Sequence, residues 1–152
     1  MAPGSRLLAF PSPPPWAQRF RSDDLDEVRS FIARADGEHS RVVHRSGALG
    51  FELFRLSGTT ASVGWARVAI EKTIRGAVSD PVLHVAVPPG TEYRLGRRQH
   101  VAGHRTATFV APGWEFTRRS PRGSTFAISV RRRKLAEEIE ARYGIAGFNG
   151  QD

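Results

Sequence analysis

The sequence predicts a mainly β domain with one helix ahead of its strands and one behind them. Three observations predict it. From Arg41 to Arg131 no helical period appears, and short apolar stretches are divided by Gly and Pro turn signals. On either side of that region apolar residues recur at helical spacing and end at a glycine. The length of 152 residues, with 39% hydrophobic and 25% charged, suits one domain able to bury a real core.

Residues 1–19 read as a poorly ordered arm, because prolines 3, 11, 13, 14 and 15 interrupt any period. In Ser22-Asp23-Asp24-Leu25-Asp26-Glu27 the acids gather where a helix N-terminus favours them, and Asp24 with Glu27 makes a capping pattern. Leu25, Val28, Phe31 or Ile32, and Ala35 then follow at helical spacing until Asp36-Gly37 supplies a stop. Strands are expected near 41–46, 51–57, 60–70, 72–78, 81–87, 92–98, 104–111, 114–119 and 124–131. The turns between them are marked by Ser46-Gly47, Ser57-Gly58, Pro88-Pro89-Gly90, Gly96, Gly103, Pro112-Gly113 and Pro121-Arg122-Gly123. Nine short strands in succession suggest a sandwich or barrel. Two of them alternate clearly: Phe126, Ile128 and Val130 against Thr125, Ala127 and Ser129, and Leu83, Val85 and Val87 against Val82, His84 and Ala86. One side of each is core. The last element, Arg131 to Tyr143, sets Leu135, Ile139 and Tyr143 at i, i+4, i+8, with Lys134/Glu138 and Glu138/Arg142 as exposed pairs and Gly144 as the stop.

The absence of cysteine removes disulfides, thiolate metal sites and cysteine nucleophiles. No apolar run approaches the roughly 20 residues of a membrane span, and the N-terminus lacks a secretory apolar core, so a soluble cytoplasmic protein is expected. The charge of +8 comes from 23 Lys+Arg, nearly all Arg, against 15 Asp+Glu. Such a balance raises nucleic acid as a partner, but no zinc finger, RNP-type sequence or aromatic-interleaved basic motif accompanies it. Arg-rich solvated surface explains it as well.

The order of arm, capped helix, many strands and amphipathic helix resembles the N-terminal effector-binding domain of AraC-type transcription regulators. Three stretches carry the resemblance: Phe20 to Val28, the strands 83–90 (LHVAVPPG) and 107–113 (ATFVAPG), and Phe126 to Leu135. The resemblance implies a cupin-like jelly-roll barrel over residues 20–144 that encloses a small organic effector. It also implies a flanking helix that pairs two subunits and a separate helix-turn-helix domain that reads DNA. Residues 145–152 would then be a linker stub, with no DNA-binding domain among these 152 residues. A stand-alone partner that forms heterodimers with full-length regulators is the related alternative.

A cupin-like metal-dependent enzyme would keep the fold and change the class. Such enzymes hold a metal with a His-x-His pair, a Glu and a later His, because imidazoles and a carboxylate must converge inside the barrel. The histidines here are 39, 44, 84, 100 and 104, no two at i, i+2, and Trp114-Glu115-Phe116-Thr117 stands where the last His would follow Pro112-Gly113. Neither a nucleophile elbow nor a phosphate-binding glycine loop occurs. No metal, cofactor or catalytic residue is therefore expected. A ligand pocket is easier to argue. In Val63-Gly64-Trp65-Ala66-Arg67, Trp65 and Arg67 share one strand face while Gly64 and Ala66 leave the other short. If the Trp65/Arg67 face points inward, it would suit an aromatic or carboxylate effector. If not, Trp65 packs under the covering helix and Arg67 is solvated. His84, Tyr93 and Trp114 are further pocket candidates. Leu135, Ile139 and Tyr143 would either pack on the chain's own barrel or form the interface of a homodimer.

Overall fold

The computed structural model describes residues 13–36, 39–43, 47–85, 87–103 and 105–145. The strand β1 (Gln18–Ser22) precedes helix α1 (Leu25–Asp36). Ten further strands follow: β2 (His39–Val43), β3 (Phe51–Ser57), β4 (Ala61–Val68), β5 (Lys72–Ala77), β6 (Val82–Val85), β7 (Thr91–Leu95), β8 (Arg98–Ala102), β9 (Ala107–Val110), β10 (Glu115–Ser120) and β11 (Gly123–Val130). Helix α2 (Arg132–Tyr143) ends the described chain. The strands form a six-stranded sheet of order β1-β3-β4-β11-β6-β9 and a five-stranded sheet of order β2-β5-β10-β7-β8, and the chain changes sheet at every step except the hairpins β3-β4 and β7-β8.

Every strand pair is antiparallel, and among the described residues the one backbone bridge between the two sheets is the isolated one between Val78 and Pro112. The expected jelly roll is present as two facing sheets, but they do not close into a barrel: the segments that lead out of β5 and β9 touch without extending a ladder around the edge. Strand β1 was not among the predicted elements, since it falls across the end of the arm and the start of the helix signal. Its sequence, QRFRS, looks polar because it is an edge strand with Arg19 and Arg21 outward and Phe20 and Ser22 inward. Strand β8 falls in the interval left between 92–98 and 104–111. The turn at Gly96, at φ +58°, reverses the chain after Leu95 and pairs Leu95 with Arg98.

Helix α1 starts where its acids predict. Asp24 Oδ1 accepts from the N–H groups of Asp26 (2.7 Å) and Glu27 (3.1 Å), while Glu27 reaches back to Ser22 Oγ at 2.6 Å rather than to Asp24 itself. Its apolar side, Val28 and Ile32 with Phe31, seats against Phe51, Leu53 and Val68, and Phe20 stacks on Phe31 with centroids 4.1 Å apart. Each fully buried aliphatic side chain here contributes roughly 1.5–3 kcal/mol. Asp23 Oδ1 accepts from Gly50 N–H at 2.7 Å and pins the helix entry to the start of β3. Gly50 has φ +54°, and a Cβ there would meet Ala69 Cβ at 2.7 Å, so this position requires glycine.

Helix α2 is held differently. Its N-cap, Arg131, offers no side-chain cap, and Asp80 Oδ1 from the loop before β6 accepts from Arg132 N–H at 2.8 Å instead. Gly144, in the left-handed conformation, closes the other end by donating to Glu140 O at 2.9 Å. Lys134 pairs with Glu137 rather than with the expected Glu138, which pairs with Arg142 as expected. No residue of α2 is buried. No described helix is long and apolar enough to cross a membrane.

Candidate functional site

The facing sides of the two sheets enclose a cavity of about 140 Å³. Strand alternation decides its walls. Ser62, Gly64 and Ala66 of β4 and Thr125, Ala127 and Ser129 of β11 point in from the six-stranded sheet; Lys72 and Ile74 of β5 and Phe116 and Arg118 of β10 face them from the other. Small side chains on two adjacent central strands leave the interior unfilled. The large residues of those strands point out, where cross-strand register aligns Leu56, Val63, Ile128, Leu83 and Phe109 in one row. The volume is modest: an engineered cavity of about 150 Å³ takes up benzene, so this one suits a ligand of about six heavy atoms. One end opens into a wider mouth of about 310 Å³ that shares Arg55, Ser62, Val78, Val82 and Ser129 with the cavity and also contains Asp80 and Arg131.

The lining is cationic. Arg55, Lys72, His84 and Arg118 contribute to it, and among the described residues no Asp or Glu does. Arg118 is 5% exposed and Lys72 4%. Arg118 Nη2 donates to Thr125 Oγ1 at 3.1 Å, which ties β10 of one sheet to β11 of the other across the cavity. Its Nε, also buried, has no hydrogen-bond partner, nor does Ser120 Oγ two residues further along the strand. Arg55 Nη2 donates to Ser62 Oγ at 3.3 Å at the mouth.

Behind the cavity stands Tyr93 of β7, fully buried. Its hydroxyl shares a hydrogen bond with His84 Nδ1 at 3.1 Å. Its ring stacks on His100 with centroids 5.2 Å apart, and His100 Nε2 lies 3.0 Å from Thr108 Oγ1. Burial pushes the Tyr93 phenol above its ordinary pKa, opposed by the neighbouring Arg118 guanidinium. The phenol is therefore neutral and does not supply the anion that Arg118 lacks.

Of the pocket candidates from sequence, His84 lines the cavity and Tyr93 supports it from behind. Trp65 and Arg67 are on the outward face, so the inward condition for an aromatic-and-cation wall is not met. Trp65 stacks on Phe54 with centroids 5.3 Å apart, and Arg67 pairs with Glu52 at 2.7 Å. Trp114 is 42% exposed and lines a shallow depression beside Gly96 and Arg97. On α2, Leu135 and Ile139 are half-buried and Tyr143 is 72% exposed, so none of the three joins the core between the sheets. Sequence reading missed Arg118, Lys72 and Arg55. A signal existed for the first: in Phe116-Thr117-Arg118-Arg119 adjacent arginines point to opposite faces, so one of them shares the face of Phe116. His44 and His104 lie outside the described residues. Among the described residues no three His, Asp or Glu come together as a metal site.

No family model matches the chain, and no curated protein matches it in sequence. Solved structures do. The AraC-like transcriptional activator CuxR superposes with a TM-score of 0.67 over 80% of this chain, at 12% identity. An RmlC-like cupin from Shewanella frigidimarina matches 62% of this chain and 86% of its own at a TM-score of 0.48 and 13% identity. The cupin domain of Schizosaccharomyces pombe Cnp3 matches 64% of this chain and 74% of its own at 0.46 and 10%. The chain therefore shares the fold of the part of CuxR on which it superposes. The chain spans 49% of the length of the activator CuxR.

Proposed function

We propose that this domain is the ligand-sensing regulatory part of an AraC-type transcription regulator. It binds a small organic effector between its sheets, pairs with a second copy through Leu135, Ile139 and Tyr143, and acts in the cytoplasm on an attached helix-turn-helix domain. One observation carries the reading: β11 is both a wall of the cavity, through Thr125, Ala127 and Ser129, and the strand that runs directly into α2. The junction is tied at three points beside the cavity mouth. Val130 N–H donates to Pro81 O (3.1 Å), Arg131 N–H to Thr60 O (2.8 Å) and Arg132 N–H to Asp80 Oδ1 (2.8 Å). A ligand that prefers one spacing of the sheets therefore biases how α2 leaves the domain, and can act only as far as its affinity differs between the two arrangements.

The test is a thermal-shift screen of the purified chain against sugars, carboxylic acids, fatty acids and divalent metals. A ligand at a hundredfold excess over its Kd stabilises by about 2.7 kcal/mol, or roughly 5–10 °C for a domain of this size. A rise with one organic class supports the sensor reading. A rise with divalent metals alone would favour a metal-dependent enzyme, and no rise with any class would leave the cavity without a role.

A further inference from the structure

We infer that the cavity between the sheets selects a small oxyanion, a carboxylate or a phosphate, and that the buried guanidinium of Arg118 receives it. The inference rests on the reading of the cavity as a ligand site and adds the charge and size of what it takes. A guanidinium stays protonated at any ordinary pH, and an ion removed from water without a counter-charge is held at a cost of several kcal/mol. Arg118 is in that position. It is 5% exposed, its hydroxyl partner Thr125 is neutral, its neighbour Tyr93 is a neutral phenol, and its Nε donates to nothing among the described residues.

The surroundings of Arg118 are cationic as well. Lys72 lies diagonally across from Arg118 on the same inner face, since β5 and β10 pair Lys72 with Ser120 and Ile74 with Arg118. Two buried cations thus share a face, with the unpartnered hydroxyl of Ser120 on it as well. Arg55 and His84 add positive or protonatable groups to the lining, which contains no carboxylate among the described residues. The nearest acid in the mouth, Asp80, is spent on the N–H of Arg132. An oxyanion supplies the missing elements together: acceptor lone pairs for the free edge of the Arg118 fork and negative charge between two cations. With about 140 Å³ available, the ligand has about six heavy atoms. Access is through the Arg55 mouth, so the charge is read close to where β11 becomes α2.

The test uses the full chain in a buffer free of phosphate and carboxylate. Butyrate, its uncharged isostere butyramide, and inorganic phosphate are each titrated by calorimetry, while the arginine Nε–H resonances are followed by ¹H–¹⁵N NMR. The expected result is saturable binding of butyrate or phosphate, at least tenfold tighter than butyramide, with the Arg118 Nε–H resonance moving along the same isotherm. Which of the two anions binds distinguishes an organic effector from a phosphate. In Arg118→Gln the preference for butyrate over butyramide should vanish, whereas Arg118→Lys should keep it. If the Gln variant does not fold, the wild-type resonance decides. Equal binding of butyramide and butyrate would overturn the inference and leave the sensor reading intact. Anion binding that leaves the Arg118 resonance unmoved, or no binding of either anion at millimolar concentration, would also overturn it. A neutral compound found in the thermal-shift screen would then show that the cavity is a site of another chemistry.

Discussion

At Tyr93 a fully buried phenol meets the buried guanidinium of Arg118, the half-buried imidazole of His84 and the exposed imidazole of His100, and its titration follows from that setting. Its folded pKa is raised above the ordinary 10, because burial disfavours the phenolate more than Arg118 favours it. The unfolded chain ionises near pH 10 while the folded chain holds its proton. The contribution to stability is therefore complete below about pH 10 and is lost as pH rises from there through the folded pKa. In Tyr93→Phe this group no longer titrates, and His84 and Arg118 each lose a partner. The variant should be less stable by about 1–3 kcal/mol at pH 7, yet should show a shallower loss of stability above pH 10 than the wild type. Urea unfolding at intervals from pH 7 to 11 measures both. Parallel curves for the two proteins would mean that Tyr93 ionises as readily folded as unfolded.

Among the elements, the strands show how far the sequence could be read. Punctuation by Gly and Pro located most of them to within a few residues, and the helical spacing located both helices. Alternation in β11 and β6 was also visible, but it was silent on which side faced the core. In an ordinary sheet the bulky side would be inside, whereas here Thr125, Ala127 and Ser129 face the cavity and Phe126 and Ile128 face out. A domain that keeps its interior open reverses the usual size pattern, and no single strand reveals that. The same reversal displaced the pocket from Trp65 and Arg67 to Arg118, which sits on the second sheet far away in sequence. Trp65→Ala tests the assignment of faces: it should cost about 1–2 kcal/mol through lost stacking on Phe54, and leave any ligand-induced thermal shift unchanged. Asp80→Ala tests the junction. Loss of this borrowed cap should lower stability by about 1 kcal/mol, and hydrogen exchange should speed up in the first turn of α2 while α1 is unaffected.

For the whole molecule, two apolar surfaces are presented outward, and only one of them belongs to a helix. The row from Leu56 to Phe109 crosses five strands of the larger sheet, and its members pack on one another from strand to strand, so much of their surface is covered without a partner. On α2, Leu135 and Ile139 are half-buried and Tyr143 is 72% exposed, and none of the three is fully buried. An isolated 12-residue helix is marginal in water, and its stability normally comes from a packed apolar face. The stripe therefore gains most from a second copy of itself. The expected result is a dimer by light scattering at micromolar concentration, converted to monomer by Leu135→Glu with Ile139→Glu, with melting of the strands unchanged because neither residue is part of the core. Phe109→Ser, on the exposed end of the sheet row, should leave the dimer intact. If the Phe109 variant dissociates the dimer and the helix variant does not, the pairing surface is the sheet, and the route from cavity to partner runs through Leu83 and Ile128 instead of through α2.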